Sequence, residues 1–123
     1  MAYLPIEYKH LLPLKQIHKR TRTLYTLAGL ACTTKELART LADNYHGCVV
    51  WPFEQALMHY GAIKFGLQDE ANVTERCAPY IDKGNELLDV DPIAARGNPR
   101  QLWSVAAAEY FAGRSALRHD AWL

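Results

Sequence analysis

The stretch YKHLLPLKQIHKRTRTLYTLAGLACTTK, residues 8–35, decides the predicted fold of this 123-residue chain. Pro13 suits the first turn of a helix, and apolar or small residues then recur at helical spacing as far as Ala31. The stretch contains no acidic residue, and its basic side chains fall on another side of the same helix: Lys15, His18, Lys19 and Arg22. It therefore predicts a first helix with an apolar stripe beside a cationic face.

The rest of the sequence predicts further helices. Thr33 with Glu36 has the form of a capping box that opens a second helix. Helical spacing continues over residues 52–67 and 74–88, and Asn98-Pro99 begins a last helix. No segment alternates apolar and polar residues long enough to predict a strand. The predicted class is all-α: one domain with an antiparallel three-helix core over residues 13–90, and a loop with a C-terminal helix over 91–123.

Charge is distributed unevenly along the chain. Residues 1–50 hold seven Lys/Arg against three Asp/Glu, a balance of +4, and residues 51–123 hold seven against ten, a balance of −3, which sum to the net +1. A basic first half favours an acidic partner, whether protein, nucleic acid or anionic lipid. The composition of half hydrophobic residues is typical of a globular domain.

Cysteines and histidines give no metal or disulfide pattern. Cys32, Cys48 and Cys77 are widely separated, and neither they nor the five histidines have the spacing of a zinc site. No apolar run approaches the ~20 residues of a membrane span. The first residues lack the features of a signal peptide. We therefore expect no metal, no transmembrane span and no cleaved leader.

Short motifs in the first two thirds of the chain resemble the mitochondrial LYR-motif family, in which Leu-Tyr-Arg follows a basic stretch on the first helix. Residues 19–26 are similar to that signature, with Thr26 in place of the arginine. Residues 63–75 resemble the end of the family's second helix and the start of its third, with Leu67 and Gln68 replacing phenylalanine and arginine. Residues 83–88 resemble the Lys-Gly-x-x-x-Leu close of the third helix.

The resemblance implies a non-catalytic adaptor with an LYR-like three-helix bundle. Such proteins bind a mitochondrial acyl carrier protein, whose acyl-phosphopantetheine enters the helical core, so the chain would need no cofactor of its own. It would be an accessory subunit of a respiratory complex, complex I in the first place, on the matrix side of the inner membrane. An assembly factor for an iron–sulfur or other respiratory-chain complex is the alternative within the family.

Candidate partner-binding residues follow from this interpretation. The electrostatic contacts to an acidic carrier protein would be Lys15, His18, Lys19, Arg22, Arg39 and Lys64. Leu24 and Tyr25 would lie in the core and groove, and small residues at Ala28, Gly29 and Ala31, opposite Leu37, Leu41 and Leu57, would leave room for an acyl chain. Trp103, Tyr110 and Trp122 would be docking anchors, since aromatic residues are enriched at interfaces.

Two other classes of function stay open. An enzyme could use carboxylates gathered on one helix side by Asp82, Glu86 and Asp89, or a pair formed by Glu75 and His59 across helices. The sequence lacks a Ser/His/Asp order, a Gly-rich phosphate loop and HExxH, however. A nucleic-acid or phage-type helical module would need a helix-turn-helix at residues 34–66. Its acidic second half and pI near 7.8 argue against that.

Overall fold

A computed structural model describes residues 14–41, 45, 47–81 and 84–121, and their fold is mixed α/β. The helices are α1 (Leu14–Thr21), α2 (Lys35–Leu41), α3 (Pro52–Lys64), α4 (Gln68–Glu75) and α5 (Leu102–Ala121), with 3₁₀ turns at Arg22–Leu24 and Ala78–Tyr80. The strands are β1 (Val49–Val50), β2 (Leu87–Val90) and β3 (Ile93–Arg96). The all-α prediction, with its three-helix bundle, is therefore wrong.

The strands form a three-stranded antiparallel sheet of order β1-β2-β3. Strands β2 and β3 occupy the predicted end of the third helix and the loop after it. Val50 pairs with Leu88, and Leu88 pairs with Ala95 across the β2–β3 hairpin. Leu87 and Leu88 are both fully buried, so β2 shows no alternation. Strands of two to four residues are too short for a period of two to be recognised in sequence.

The first helix is shorter than predicted because side chains compete for its backbone. After the 3₁₀ turn, the Thr26 hydroxyl accepts hydrogen bonds from the N–H groups of Ala28 and Gly29, which forms a tight turn. Gly29 has φ +140°, a conformation that L side chains rarely adopt. The chain then pairs Tyr25 with Leu30 in an isolated bridge. Residues 25–34 therefore form a compact connection instead of helical turns.

The helices that follow have caps that explain their bounds. Thr34, one residue after the predicted cap, accepts a side-chain hydrogen bond from the N–H of Leu37 and begins α2. Pro52 occupies the first turn of α3 as predicted. Gly66, at φ +71°, ends that helix, and the Leu67 N–H bonds to the Ala62 carbonyl as in a Schellman motif. The predicted helix over 74–88 is wrong, because α4 ends at Glu75.

The main core lies where the sheet meets α3 and α5. Its fully or nearly fully buried members are Ala28, Val50, Cys77, Ile81, Leu88, Ala107 and Phe111. Smaller clusters join α3 to α4 through Ala62, Leu67 and Ala71, and β1 to β2 through Val49, Trp51 and Leu87. These contacts place α5 along one side of α3. Helix α5 begins at Leu102, three residues after the predicted start near Pro99.

Candidate functional site

Helices α3 and α5 lie side by side and run in the same direction. At their amino ends the rings of Phe53 and Trp103 are in edge contact, with centroids 4.9 Å apart. Two turns later Nδ1 of His59 lies 2.7 Å from the Tyr110 hydroxyl. Both contacts join residues about fifty apart in sequence, so the two helices keep one register along their shared length.

An exposed apolar groove runs between these two helices. Each helix contributes four side chains at i, i+3, i+4 and i+7, which is the spacing of one helix face. The groove encloses about 580 Å³ and is lined by Phe53, Ala56, Leu57, Tyr60, Trp103, Ala106, Ala107 and Tyr110. Trp103 is 55% exposed and Tyr60 54% exposed. Large aromatic side chains are thus held at the surface by helices whose other faces are buried.

A chain of polar side chains supports one end of the groove. His59 is buried, with Nε2 at 3.2 Å from Oε1 of Glu75 and Nδ1 bonded to Tyr110. Arg114 lies one turn beyond Tyr110 on α5, close enough for its positive charge to act on that hydroxyl. Because a carboxylate only accepts, Nε2 of His59 donates to Glu75, and the Tyr110 hydroxyl is the partner of the other ring nitrogen.

The carboxyl-terminal end of the groove is cationic. Burial raises the pKa of Tyr110, and the nearby Arg114 opposes that rise. Lys64 occupies the matching position on α3, one turn beyond Tyr60, and is exposed. Nε of Arg114 is buried and has no hydrogen-bond partner among the described residues. An apolar groove therefore ends beside two positive charges.

The structure brings together three residues that the sequence analysis proposed for different roles. Trp103 and Tyr110, predicted as docking anchors, line the groove, and Lys64, predicted as an electrostatic contact, lies beyond its end. The pairing of His59 with Glu75 is confirmed. Trp122 lies outside the described residues. The helical spacing of α3 was recognised in the sequence, but it carried no signal that this face stays exposed.

The predicted cationic face is only partly available. Lys19 and Arg22 are exposed, while the side chain of Lys15 lies outside the described part. His18 instead contacts α4, where its Nδ1 lies 2.6 Å from Oε1 of buried Glu70. The Thr21 hydroxyl donates to the same oxygen at 2.8 Å. Burial opposes ionisation of Glu70, but these hydrogen bonds outweigh it and lower the pKa of the carboxyl.

Leu24 and Tyr25 are half-buried and line a cavity of about 390 Å³ beside α2. Burial and the neighbouring Glu70 raise the pKa of Tyr25 to about 12. The space expected beside Ala28 and Gly29 is filled, because Gln55 lies there and a Cβ on Gly29 would be 2.6 Å from its Oε1. Arg39 is exposed on α2, away from the lining of the groove.

Leu37 and Leu57, predicted to face that space, are placed elsewhere. Leu37 is exposed, Leu57 lines the groove, and the side chain of Leu41 is not described.

The predicted cluster of carboxylates on one helix side is wrong. Glu86 precedes β2 and accepts hydrogen bonds from the Tyr45 hydroxyl and the Asn98 N–H. Asp89 lies within β2 and pairs with Arg96, whose Nε is 3.1 Å from Oδ2. Asp82 lies outside the described residues. The two described carboxylates therefore lie at the start of strand β2 and within it, not on one side of a helix.

Two of the three cysteines are held as thiols by burial. Burial raises the pKa of Cys32 and of Cys77 to about 12, so both stay protonated at neutral pH. In the ranges that the structure describes, no group of three or more His, Cys, Asp or Glu is arranged to hold a metal ion. The helices in those ranges are also too short or too polar to cross a membrane.

Comparison with known proteins finds no match to a family model, a curated protein or a solved structure. The groove and its surroundings are therefore the features that bear on function.

Proposed function

We propose that this chain is a non-catalytic adaptor that binds an amphipathic helix of a partner protein in the groove between α3 and α5. The observation that carries the proposal is the exposure of Trp103 and Tyr60 on two parallel helices whose stripes are in register. Exposed apolar patches of this kind, bordered by polar residues, are typical of protein interaction sites.

A helix fits this groove better than an extended peptide. Two parallel helices with matched stripes present a long apolar furrow, and a third helix fills such a furrow with side chains at i, i+3, i+4 and i+7. The open edges of a sheet, which extended peptides recognise, lie elsewhere: β1 and β3 form the edges of the sheet. The furrow runs along helices for about two turns, between Phe53 and Tyr60.

The charges near the groove favour a partner helix that carries an acidic residue. Lys64 and Arg114 follow the two tyrosines at its carboxyl-terminal end. Complementary charges at the border of an interface mainly set orientation and association rate. The apolar contacts would supply most of the affinity. Covering the exposed half of Trp103, about 100 Å², contributes roughly 2–3 kcal/mol at 25 cal/mol per Å².

The test is binding of a designed peptide of about 18 residues, five helical turns, with leucines at groove spacing. Fluorescence anisotropy of the labelled peptide measures its affinity for the full chain. We expect Trp103→Asp to weaken binding by more than roughly tenfold, because a charge would be buried among apolar side chains. Leu102→Asp is the matched control, since Leu102 is exposed in the same helical turn but does not line the groove.

Equal losses in the two variants, or no binding by the wild-type chain, would contradict the proposal. Analytical sedimentation of the purified chain tests whether a second copy of the same chain occupies the groove. A dimer that Trp103→Asp dissociates, without peptide binding, would reassign the groove to self-association.

An acyl carrier protein stays a prediction of the resemblance, and exposed Lys19 and Arg22 would be its contacts. Titration with a purified acyl carrier protein tests it directly. Charge reversal by Lys19→Glu and Arg22→Glu should abolish that binding, whereas Trp103→Asp should weaken it only if the carrier protein also occupies the groove. Unchanged binding by the charge-reversed variant would show that Lys19 and Arg22 do not contact the carrier protein.

Nucleic acid is the less favoured ligand. A short turn at residues 65–67 joins α3 to α4, whereas the helix-turn-helix that a nucleic-acid module would need was expected at residues 34–66. Its second helix, α4, contains Asp69, Glu70 and Glu75 and no lysine or arginine. A helix that enters a groove of DNA lies among phosphates and is normally basic. The charge of α4 is the opposite of what that role needs.

A further inference from the structure

We infer that the surface cavity between α2 and the sheet binds a phosphoryl dianion, the group that phosphate monoesters share with free phosphate. The cavity has a volume of about 540 Å³, and its lining includes four charged side chains, Lys35, Arg39, Asp89 and Arg96. It has no lining residue in common with the α3–α5 groove, so this site is independent of the proposed function.

The charge of the cavity lining is the first argument. Three of its side chains are positive and one is negative, which gives a net charge of +2. Cys48 also lines the cavity, but burial raises the pKa of its thiol, which is therefore uncharged at neutral pH. A phosphate monoester with its second proton removed carries two negative charges and three acceptor oxygens. Such a ligand would neutralise the lining.

Helix α2 places two of the positive charges side by side. Lys35 and Arg39 are four residues apart on this helix of seven residues, and like charges at that spacing weaken a helix. Nζ of Lys35 lies 3.8 Å from Oδ2 of Asp91, and both side chains are exposed, so this contact contributes little. None of the ion pairs between described residues involves Arg39. An anion bound beside both cations would relieve their repulsion.

The third positive charge is held in place by the sheet. Arg96 is the last residue of β3, and its Nε lies 3.2 and 3.1 Å from the two carboxylate oxygens of Asp89 on β2. This pairing orders the guanidinium before a ligand arrives, which reduces the entropy cost of binding. A guanidinium offers N–H donors in a planar fork that suits phosphate oxygens. The cavity therefore combines an ordered guanidinium with two exposed cations on α2.

Carboxylates around the cavity favour a compact ligand over a nucleic acid strand. Asp89 belongs to the lining, and exposed Asp91 contacts Lys35. Glu36 is exposed at the next position of α2. A polyanion that extends beyond the cavity would meet these negative charges, whereas one phosphoryl group can lie among the cations.

Isothermal titration calorimetry of the full chain with phenyl phosphate tests this inference, at about pH 8, where the ligand is a dianion. We expect saturable binding by the wild-type chain. Arg39→Gln should weaken it roughly fivefold or more, because charged hydrogen bonds are lost. Arg39→Lys should keep part of the affinity, since the charge remains without the planar fork. Arg100→Gln is the matched control and should change it less than about twofold, because Arg100 is exposed outside the cavity lining.

Two further ligands identify what the cavity recognises. Inorganic phosphate distinguishes the sources of the phosphoryl group: weaker binding than phenyl phosphate would identify a monoester as the ligand, and equal binding the free ion. Benzoate has the same ring as phenyl phosphate with a single negative charge. It should bind roughly tenfold more weakly, because it has fewer acceptor oxygens and half the charge.

Three results would overturn the inference: no saturable binding of either phosphate by the wild-type chain, equal affinities for benzoate and phenyl phosphate, or equal losses in Arg39→Gln and Arg100→Gln. Thermal unfolding without ligand establishes that each variant is folded before it is titrated. The peptide test of the α3–α5 groove is independent of all of these outcomes, since the groove shares no lining residue with the cavity.

Discussion

The segment of residues 14–34 and the α3–α5 pair have similar apolar patterns in sequence, yet they are held in different ways. Buried polar side chains hold the first: Glu70 accepts from His18 and Thr21, and Gln55 bonds both backbone groups of Leu30. Apolar and aromatic contacts hold the second, from Phe53 with Trp103 to His59 with Phe111. In the first segment helical periodicity failed where polar side chains bond the backbone, whereas along α3 and α5 it predicted the helices.

The largest loss of stability is expected from a substitution in the apolar core between α3 and α5. Phe111 is 6% exposed and packs in the main core against the ring of His59. Phe111→Ala should lower the free energy of unfolding by about 3–4 kcal/mol, from lost burial and the cavity left behind. Urea unfolding measures it. Tyr60→Ala, on the exposed side of the same helix pair, should change stability by less than about 1 kcal/mol, and similar losses in both would contradict the assignment of core and groove.

A somewhat smaller loss of stability is expected from a substitution of the buried polar side chain that holds residues 25–34. Gln55 is buried, accepts from the Leu30 N–H at 2.8 Å and donates to the Leu30 carbonyl at 2.9 Å. Gln55→Ala leaves both backbone groups unsatisfied, so unfolding free energy should fall by about 2–4 kcal/mol. Hydrogen exchange should show the loss concentrated at residues 25–34. Gln68→Ala, an exposed amide paired with Asn72, is the control and should cost less than about 0.5 kcal/mol.

The smallest loss of stability is expected at Glu70, and its size depends on pH. The pKa of Glu70 is lowered in the folded chain, so its ionised form stabilises the fold above its ordinary pKa near 4.5. This contribution should disappear as the pH falls from about that value through the folded pKa. Glu70→Gln should cost about 1 kcal/mol at neutral pH, where a charged acceptor becomes neutral. Urea midpoints at several pH values should converge for the two proteins in acid, and a constant difference would contradict the role of the charge.

Local signals predicted part of the fold. Pro52 and the stripe after it predicted α3, and Asn98-Pro99 predicted a helix close to α5. The sheet could not be predicted, because its strands have two to four residues and β2 is buried without alternation. The helix over 74–88 was wrong for a related reason. Leu87 and Leu88 fit a helical stripe, but they pair with β1 and β3, which lie far apart in the sequence.

The candidate site was predicted only as separate residues. Trp103, Tyr110 and Lys64 were chosen for their chemistry, without knowledge that α3 and α5 run parallel. These residues come together because α3 and α5, which are about fifty residues apart in the sequence, pack side by side. The apolar spacing within each helix does not predict which other helix it will pack against. His18 was misjudged for a similar reason, since its partner Glu70 lies on α4, most of which falls between the helices predicted over 52–67 and 74–88.

Fluorine NMR of the chain labelled with 5-fluorotryptophan tests the central claim most directly. Trp103 lines the groove and is exposed, whereas Trp51 is buried in a cluster with Val49 of β1 and Leu87 of β2. Addition of the leucine-striped peptide should shift the Trp103 resonance, assigned through Trp103→Phe, and leave that of Trp51 in place. A peptide that binds while the Trp103 resonance stays unchanged would contradict the assignment of the α3–α5 groove as the docking surface.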